Sequence, residues 1–182
     1  LSEATGYYYR VKAYNNAGAS AYSNELSVLT APAAPANLTA EAINERKVNL
    51  TWQDKSGGEE GFRVERKTGS GSWGTVATLA ANVTSYSDTT VVETTTYTYR
   101  VFAFNASGDS PSSNEVSVTT PALTVPAAPS NLQAVALSYS QVRLTWTDNS
   151  YNESGFKIER KEGNSGSYQQ VATVGEEQTT YT

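Results

Sequence analysis

Val48-Asn49-Leu50-Thr51-Trp52, followed across a polar loop by Gly61-Phe62-Arg63-Val64-Glu65-Arg66-Lys67, is the stretch that decides the fold. Val48, Leu50 and Trp52 alternate with Asn49 and Thr51, and Phe62 and Val64 continue the pattern. A period of two places apolar side chains on one face of a strand and polar ones on the other. Further on, Tyr97, Tyr99, Val101 and Ala103 alternate with Thr98, Arg100 and Phe102, and Val116 and Val118 close the pattern. Weaker strands are expected near Leu38 and Tyr86, and Trp73, Val76 and Leu79 lie in a less regular stretch. No ten-residue segment carries an apolar stripe at helical spacing. The strands are therefore expected to pair antiparallel through Gly, Ser, Asn and Pro turns, seven of them in two stacked sheets.

The same residues return along the chain. Tyr7, Tyr9, Arg10, Val11, Asn15, Gly18 and Ser23-Asn24-Glu25 recur ninety residues on as Tyr97, Tyr99, Arg100, Val101, Asn105, Gly108 and Ser113-Asn114-Glu115. Leu50-Thr51-Trp52, Gly61-Phe62 and Val64-Glu65-Arg66-Lys67 recur ninety-four residues on as Leu144-Thr145-Trp146, Gly155-Phe156 and Ile158-Glu159-Arg160-Lys161. A period near ninety overrides any prior from length and divides the 182 residues into three parts. Residues 1–30 are the later part of a unit, 31–121 a complete unit and 122–182 the earlier part of a unit. Pro32, Pro35, Pro121, Pro126 and Pro129 mark the junctions, where Ala-Pro segments stiffen the chain.

These residues resemble the fibronectin type III family, with Trp52 as its strand B tryptophan and Tyr97 as its strand F tyrosine. Asn105, Gly108 and Ser113-Asn114-Glu115 are similar to the family's loop and strand between F and G. The Trp52–Lys67 stretch looks like the style of bacterial secreted or cell-surface modules. The resemblance implies tandem seven-stranded, immunoglobulin-like sandwiches, with strands F and G in 1–30 and strands A to E in 122–182. Trp52, Trp146, Tyr97 and Tyr7 are then the structural core anchors. For function it implies a spacer or, in some members, a ligand site, since a fold hosts many functions.

Composition narrows the chemistry. Eighteen acidic against thirteen basic residues give a net charge of -5, and the Lys and Arg are dispersed, which argues against a nucleic-acid partner. No run of eighteen apolar residues is present, so no membrane span is expected, and no charged-then-apolar leader opens the chain. The chain has no Met, and the expectation is a processed protein or a piece of a longer one. It also has no Cys and no His, which removes disulfides, thiolates and the commonest general base and metal ligand. Only a Ser-Lys arrangement remains to activate a hydroxyl, and no motif suggests one, so no enzyme activity and no cofactor are expected.

The two partial units look like halves of one sandwich. Tyr86 precedes Tyr97 by eleven residues, whereas joining Thr182 to Leu1 puts Tyr181 eight before Tyr7, so a three-residue loop restores the spacing. The amino-terminal hairpin alone leaves Tyr7, Tyr9, Val11, Leu26 and Val28 without cover, on the order of 10 kcal/mol at about 2 kcal/mol per large apolar side chain. That rivals the stability of a domain, and an unpaired sheet edge invites another strand. Tyr9, Val11, Leu26 and Val28 on one piece, and Leu144, Phe156 and Ile158 on the other, form the expected assembly interface. Three arrangements would fill it: a covalent tandem array, head-to-tail strand donation between chains into a filament, or closure within one chain, which the short linker from Thr30 to Pro35 makes the least comfortable.

Other candidate sites carry less. Ser107-Gly108-Asp109-Ser110-Pro111 sits where an adhesive member of the family carries Arg-Gly-Asp-Ser, but Ser107 stands in place of the arginine and a turn is expected. Asp54, Glu59 and Glu60, with Asp148 and Glu153 at matching sites, crowd the loop after the tryptophan strand. A calcium site needs six or more convergent oxygens, so a solvated acidic loop is expected and no metal. One shared flexible loop also makes a poor glycosidase pair. Tyr8, Tyr14, Phe102 and Phe104 leave the core face by alternation, and Trp73, Tyr151 and Tyr168 lie near loops or edges. Of these, Tyr8, Tyr14, Trp73 and Tyr151 are the candidates for stacking on a sugar ring, against the alternative of module-to-module packing. Asn37, Asn49, Asn82, Asn105 and Asn152 each head an Asn-x-Ser/Thr triplet, which chance explains better than glycosylation.

The expectation is thus a non-catalytic module outside a cell, extracellular or on its surface, that extends, spaces or assembles. Its partner is itself or a neighbouring repeat. An accessory module that holds polysaccharide or a cell-surface glycan for a larger enzyme or adhesin is the alternative.

Overall fold

A computed structural model describes residues 1–182, which form two compact units, Leu1–Ala122 and Leu123–Thr182. There is no helix. In the first unit the strands are β1 (Gly6–Tyr9), β2 (Tyr14–Asn15), β3 (Gly18–Ala19), β4 (Leu26–Leu29), β5 (Ala36–Asn44) and β6 (Lys47–Gln53). They continue as β7 (Gly61–Thr68), β8 (Gly74–Ala80), β9 (Ser85–Asp88), β10 (Thr96–Asn105), β11 (Gly108–Asp109) and β12 (Val116–Thr119). The second unit holds β13 (Ser130–Ala136), β14 (Val142–Thr147), β15 (Phe156–Arg160), β16 (Gln169–Val174) and β17 (Thr180–Tyr181).

Strands β5 to β12 form the sandwich. One sheet runs β5-β6-β9; the other runs β11-β10-β7-β8, with β12 also on β10, and the pairings are antiparallel. The alternation read from the sequence becomes burial: Val48, Leu50, Phe62, Val64, Tyr99, Val101 and Ala103 have no exposed surface. Trp52 lies between the sheets with its ring 5.8 Å from that of Phe62. Gly61 is glycine because β8 passes too close for a side chain: a Cβ there would sit 2.2 Å from the Leu79 carbonyl oxygen.

A carboxylate is buried deep in this core. The Asp88 carboxylate, with no exposure, accepts from Arg66 Nη1 at 2.6 Å, from the Tyr99 hydroxyl at 3.0 Å, and from the Thr90 N–H and hydroxyl at 2.9 and 2.7 Å. Burial alone would raise its pKa, but Thr90, Tyr99 and the Arg66 charge together outweigh that and hold it below the ordinary carboxylate value. Burial, then Asp88, pushes the Tyr99 phenol far upward, so it remains a proton donor. A carboxyl depressed by folding contributes stability that is present above its unfolded pKa of about 3.9 and lost as the pH falls through the lower folded value. Melting temperature should therefore be flat from about pH 5 upward on this account and fall below about pH 4. Asp88→Asn should cost about 2 kcal/mol at neutral pH and make the acid limb shallower in a pH series of thermal melts.

Residues 1–30 pack with the sandwich in one unit rather than standing apart. Glu3 accepts from the Ser56 hydroxyl at 2.9 Å and the Gly57 N–H at 3.2 Å, while Asn105 Nδ2 donates to the Thr30 carbonyl at 3.0 Å. Ser107 Oγ donates to the Leu29 carbonyl at 2.7 Å. The first hydrogen bond, from Ser56, is the main reason the Glu3 carboxyl sits below its ordinary value. Asn105, a triplet asparagine, is thereby committed to this junction. Glu3→Gln should loosen it, read as faster amide exchange at Gly57 with the sandwich core unchanged.

Candidate assembly interface

The hairpin of β1 and β4 copies the β10–β12 hairpin bond for bond. Tyr7 faces Val28 as Tyr97 faces Val118. The Tyr7 hydroxyl accepts from the Ser2 N–H at 2.5 Å, and the Tyr97 hydroxyl from the Val92 N–H at 3.0 Å, five residues upstream in each case. This is the tyrosine corner of immunoglobulin-like sandwiches. Ser23 Oγ accepts from the Val11 N–H as Ser113 Oγ accepts from the Val101 N–H, both at 3.0 Å. The Tyr7–Tyr9 ring pair, 6.5 Å apart, matches Tyr97–Tyr99 at 6.4 Å.

What differs is cover. β10 runs for ten residues because β7 pairs with it from Tyr97–Thr68 to Phe104–Gly61. β1 has only β4 beside it and ends after four residues. Tyr99 and Val101 have no exposure, whereas their counterparts Tyr9 and Val11 are 50% and 71% exposed. Leu26 and Val28 are also open. Tyr7, expected as a core anchor, is only half-buried, since no second sheet lies over it.

The second unit shows the reciprocal defect. Its sheets are β13-β14-β17 and β15-β16, the counterparts of β5-β6-β9 and β7-β8. Trp146 stacks on Phe156 at 5.4 Å, and Trp146, Phe156 and Ile158 are buried. Leu144 is half-buried, where its counterpart Leu50 is fully so. Leu132 and Val142 are 69% and 48% exposed, against 3% and 0% for Leu38 and Val48. A cleft of about 560 Å³ opens between Leu132, Val142, Leu144, Ile158, Val171 and Tyr181. The β15 edge that corresponds to the β10-facing edge of β7 has no partner strand.

The aromatic candidates are not assembled into one platform. Tyr8, Tyr14 and Tyr151 are well exposed, and none is in an aromatic pair. Trp73 is half-buried, with Arg100 4.1 Å and Lys67 4.6 Å from its ring centre, so its face is occupied by cations rather than free for a sugar. Phe102 lies 4.9 Å from Arg63 and 5.0 Å from Arg100. Tyr168 has Lys161 at 5.1 Å. Tyr139, not singled out by sequence, is fully exposed. The Ser107–Pro111 segment is a tied turn: Ser107 N–H donates to Asn105 Oδ1 at 2.8 Å, and Asp109 pairs with Arg63 at 2.7 Å.

The acidic loops differ between units. In the sandwich, Asp54 Oδ1 accepts from the Ser56 N–H at 2.9 Å and Glu59 Oε1 from the Asn82 N–H at 3.2 Å. Burial, offset in part by Ser56, raises the Asp54 carboxyl. In the second unit, Asp148 and Glu153 are joined by Glu177, with one carboxylate oxygen of each within 4.8 Å of the others. Glu153 lies below its ordinary pKa, chiefly through its own backbone N–H. Glu177 was legible only by aligning Thr179 with Thr84, whose carbonyls both accept from the tryptophan N–H.

The family profile of the Fibronectin type III domain matches residues 33–119. Over that segment this chain is a fibronectin type III domain. Exoglucanase B of Cellulomonas fimi is 32% identical over 166 residues, 80% of this chain and 14% of that protein. Chitinase A1 of Niallia circulans is 31% identical over 133 residues, 68% of this chain and 18% of that protein. The chain thus spans less than a fifth of either relative. The crystal structure of chicken CNTN1 FN1-FN3 domains aligns with 100% of this chain and 66% of its own, at 22% identity and a TM-score of 0.47. In the fibronectin type III domain Trp52 and Tyr97 are both buried.

Proposed function

We propose that this chain is a non-catalytic, extracellular or cell-surface segment of tandem seven-stranded fibronectin type III sandwiches, with β11 and β12 as two pieces of one strand. Its open hairpin and open cleft are complementary halves of a further sandwich. The hairpin of one copy, or of a neighbouring repeat, fills the cleft of another and extends an array head to tail. The observation that carries this is the mismatch between counterparts: side chains buried in the domain are bare at the same positions of the hairpin and the second unit. The domain's own register supplies the docking register. Val101 faces Val64, and Tyr99 faces Arg66, so Val11 lies opposite Ile158 and Tyr9 opposite Arg160. Sedimentation velocity over a concentration series tests it. Multiples of 19.5 kDa that grow with concentration support strand donation between chains. A 19.5 kDa species at every concentration overturns donation between chains and leaves a covalently attached repeat, or closure within the one chain, as the occupant.

A second reading has one observation behind it: relatives named exoglucanase and chitinase carry the similar segment. An accessory module for polysaccharide would present Tyr8, Tyr14 or Tyr151, the bare tyrosines, to sugar rings. Retention on insoluble cellulose or chitin, lost in Tyr14→Ala or Tyr151→Ala with the melting curve unchanged, would establish it. Passage through both without retention would remove it.

A further inference from the structure

The acidic loop of the second unit is built differently from that of the domain, and the difference points to a ligand. Asp148 follows β14, Glu153 precedes β15 and Glu177 lies between β16 and β17, yet one carboxylate oxygen from each falls within 4.8 Å of the other two. Glu153 is only 7% exposed, and its Oε2, like Asp148 Oδ2, is buried with no hydrogen-bond partner. The five ion pairs of the chain all use Arg63, Arg66, Lys67 or Arg100, so none answers these carboxylates. The Glu153 carboxyl draws on its own N–H, Ser150 and the Glu177 N–H, yet its Oε2 keeps no partner and no cation answers it, and natural structures resolve such an oxygen with a counter-charge or a metal.

The domain provides an internal comparison. Its matching residues are Asp54, Glu59 and Asn82, and there the Asn82 N–H ties the two loops by donating to Glu59 at 3.2 Å. Asn82 has φ 63° and Glu177 φ 58°, the left-handed region in which Asn is ordinary and Glu is not. The second unit thus places a third negative charge, on a residue ill suited to that backbone, beside two carboxylates that already repel.

We propose that Asp148, Glu153 and Glu177 bind one hard divalent cation, calcium, which tightens the two loops around their carboxylates. Oxygens within 4.8 Å of one another fit around a single ion at about 2.4 Å, the calcium–oxygen distance. Three carboxylates, mono- or bidentate, supply three to six oxygens, and water completes the shell. The ion locks the loop that follows Trp146, and binding to the folded state alone raises its stability. This site is independent of the assembly interface.

The test is a calcium titration of the chelator-treated full chain by calorimetry, with thermal melts in parallel. One saturable calcium per chain is expected, with a second-unit melting transition that rises with calcium. Glu177→Asn installs the domain's own residue, which tolerates the left-handed backbone, and should weaken calcium binding by at least about tenfold while leaving the calcium-free melt unchanged or improved. Glu153→Gln should abolish binding. No saturable binding up to about 10 mM by folded wild-type chain overturns the proposal, that range lying above the weakest calcium sites of extracellular modules. Equal calcium affinity in Glu177→Asn overturns it as well, whatever Glu153→Gln does to folding.

Discussion

Trp52→Ala should lower the stability of the fibronectin type III domain by about 3–5 kcal/mol, the range for an aromatic removed from a core that cannot collapse around the void. Trp52 is 5% exposed, lies against Phe62 and bridges the two sheets, so neither sheet can move in without breaking its own ladder. Against a domain stability of about 5–15 kcal/mol, such a loss removes from about a fifth to all of it. Urea unfolding of the full chain, followed by far-ultraviolet circular dichroism, measures it as a drop in midpoint at unchanged slope. A change under about 1 kcal/mol would show that the ring is not a core element. Trp146→Ala should cost less. Its neighbour Leu144 is only half-buried and Leu132 is bare, so the site is already loose on one side.

The contrast between those two tryptophans marks how far the sequence could be read. Alternation over Val48–Trp52 and Tyr97–Ala103 told which side chains face inward, because a period of two leaves no other choice once a second sheet is present. It could not tell whether that sheet is present at each repeat. Tyr7 and Tyr97 share sequence, register and a tyrosine corner, yet one is half-buried and the other buried. Burial depends on what lies opposite, which is non-local. Trp73 failed for the same reason. One flanking cation, Lys67, lies six residues before it at the end of β7, but the other, Arg100, comes from β10, and no alternation within one strand brings the two to its ring. Glu177 was hidden by a one-residue change in repeat spacing between β15 and β17, ninety-four before it and ninety-five after. Its counterpart Asn82 looked like an ordinary turn residue.

Val11→Asp should abolish assembly while leaving the chain folded. Val11 is 71% exposed and lies between β1 and β2, in neither strand, so a carboxylate there meets water in the single chain and costs nothing in folding. In the docked register the same carboxylate lies opposite Ile158, inside an apolar core, where it loses its hydration without gaining a partner. Lost burial of the valine contributes about 1.5–3 kcal/mol, and the stranded charge adds to it, so at least about a hundredfold weaker association follows. Val101→Asp is the matched control. Val101 has no exposure, and the same change there should unfold the domain itself. Sedimentation velocity of Val11→Asp against wild type, with circular dichroism to show intact strands, reads both effects. Unchanged assembly in Val11→Asp would mean that the hairpin does not enter the cleft in this register. Where the neighbouring repeat is covalently attached, the free energy instead appears as a lower melting temperature of the completed sandwich. The substitution therefore reports on the same contact in either arrangement, because the chemistry of the core is blind to whether the strands that close it belong to one chain or two.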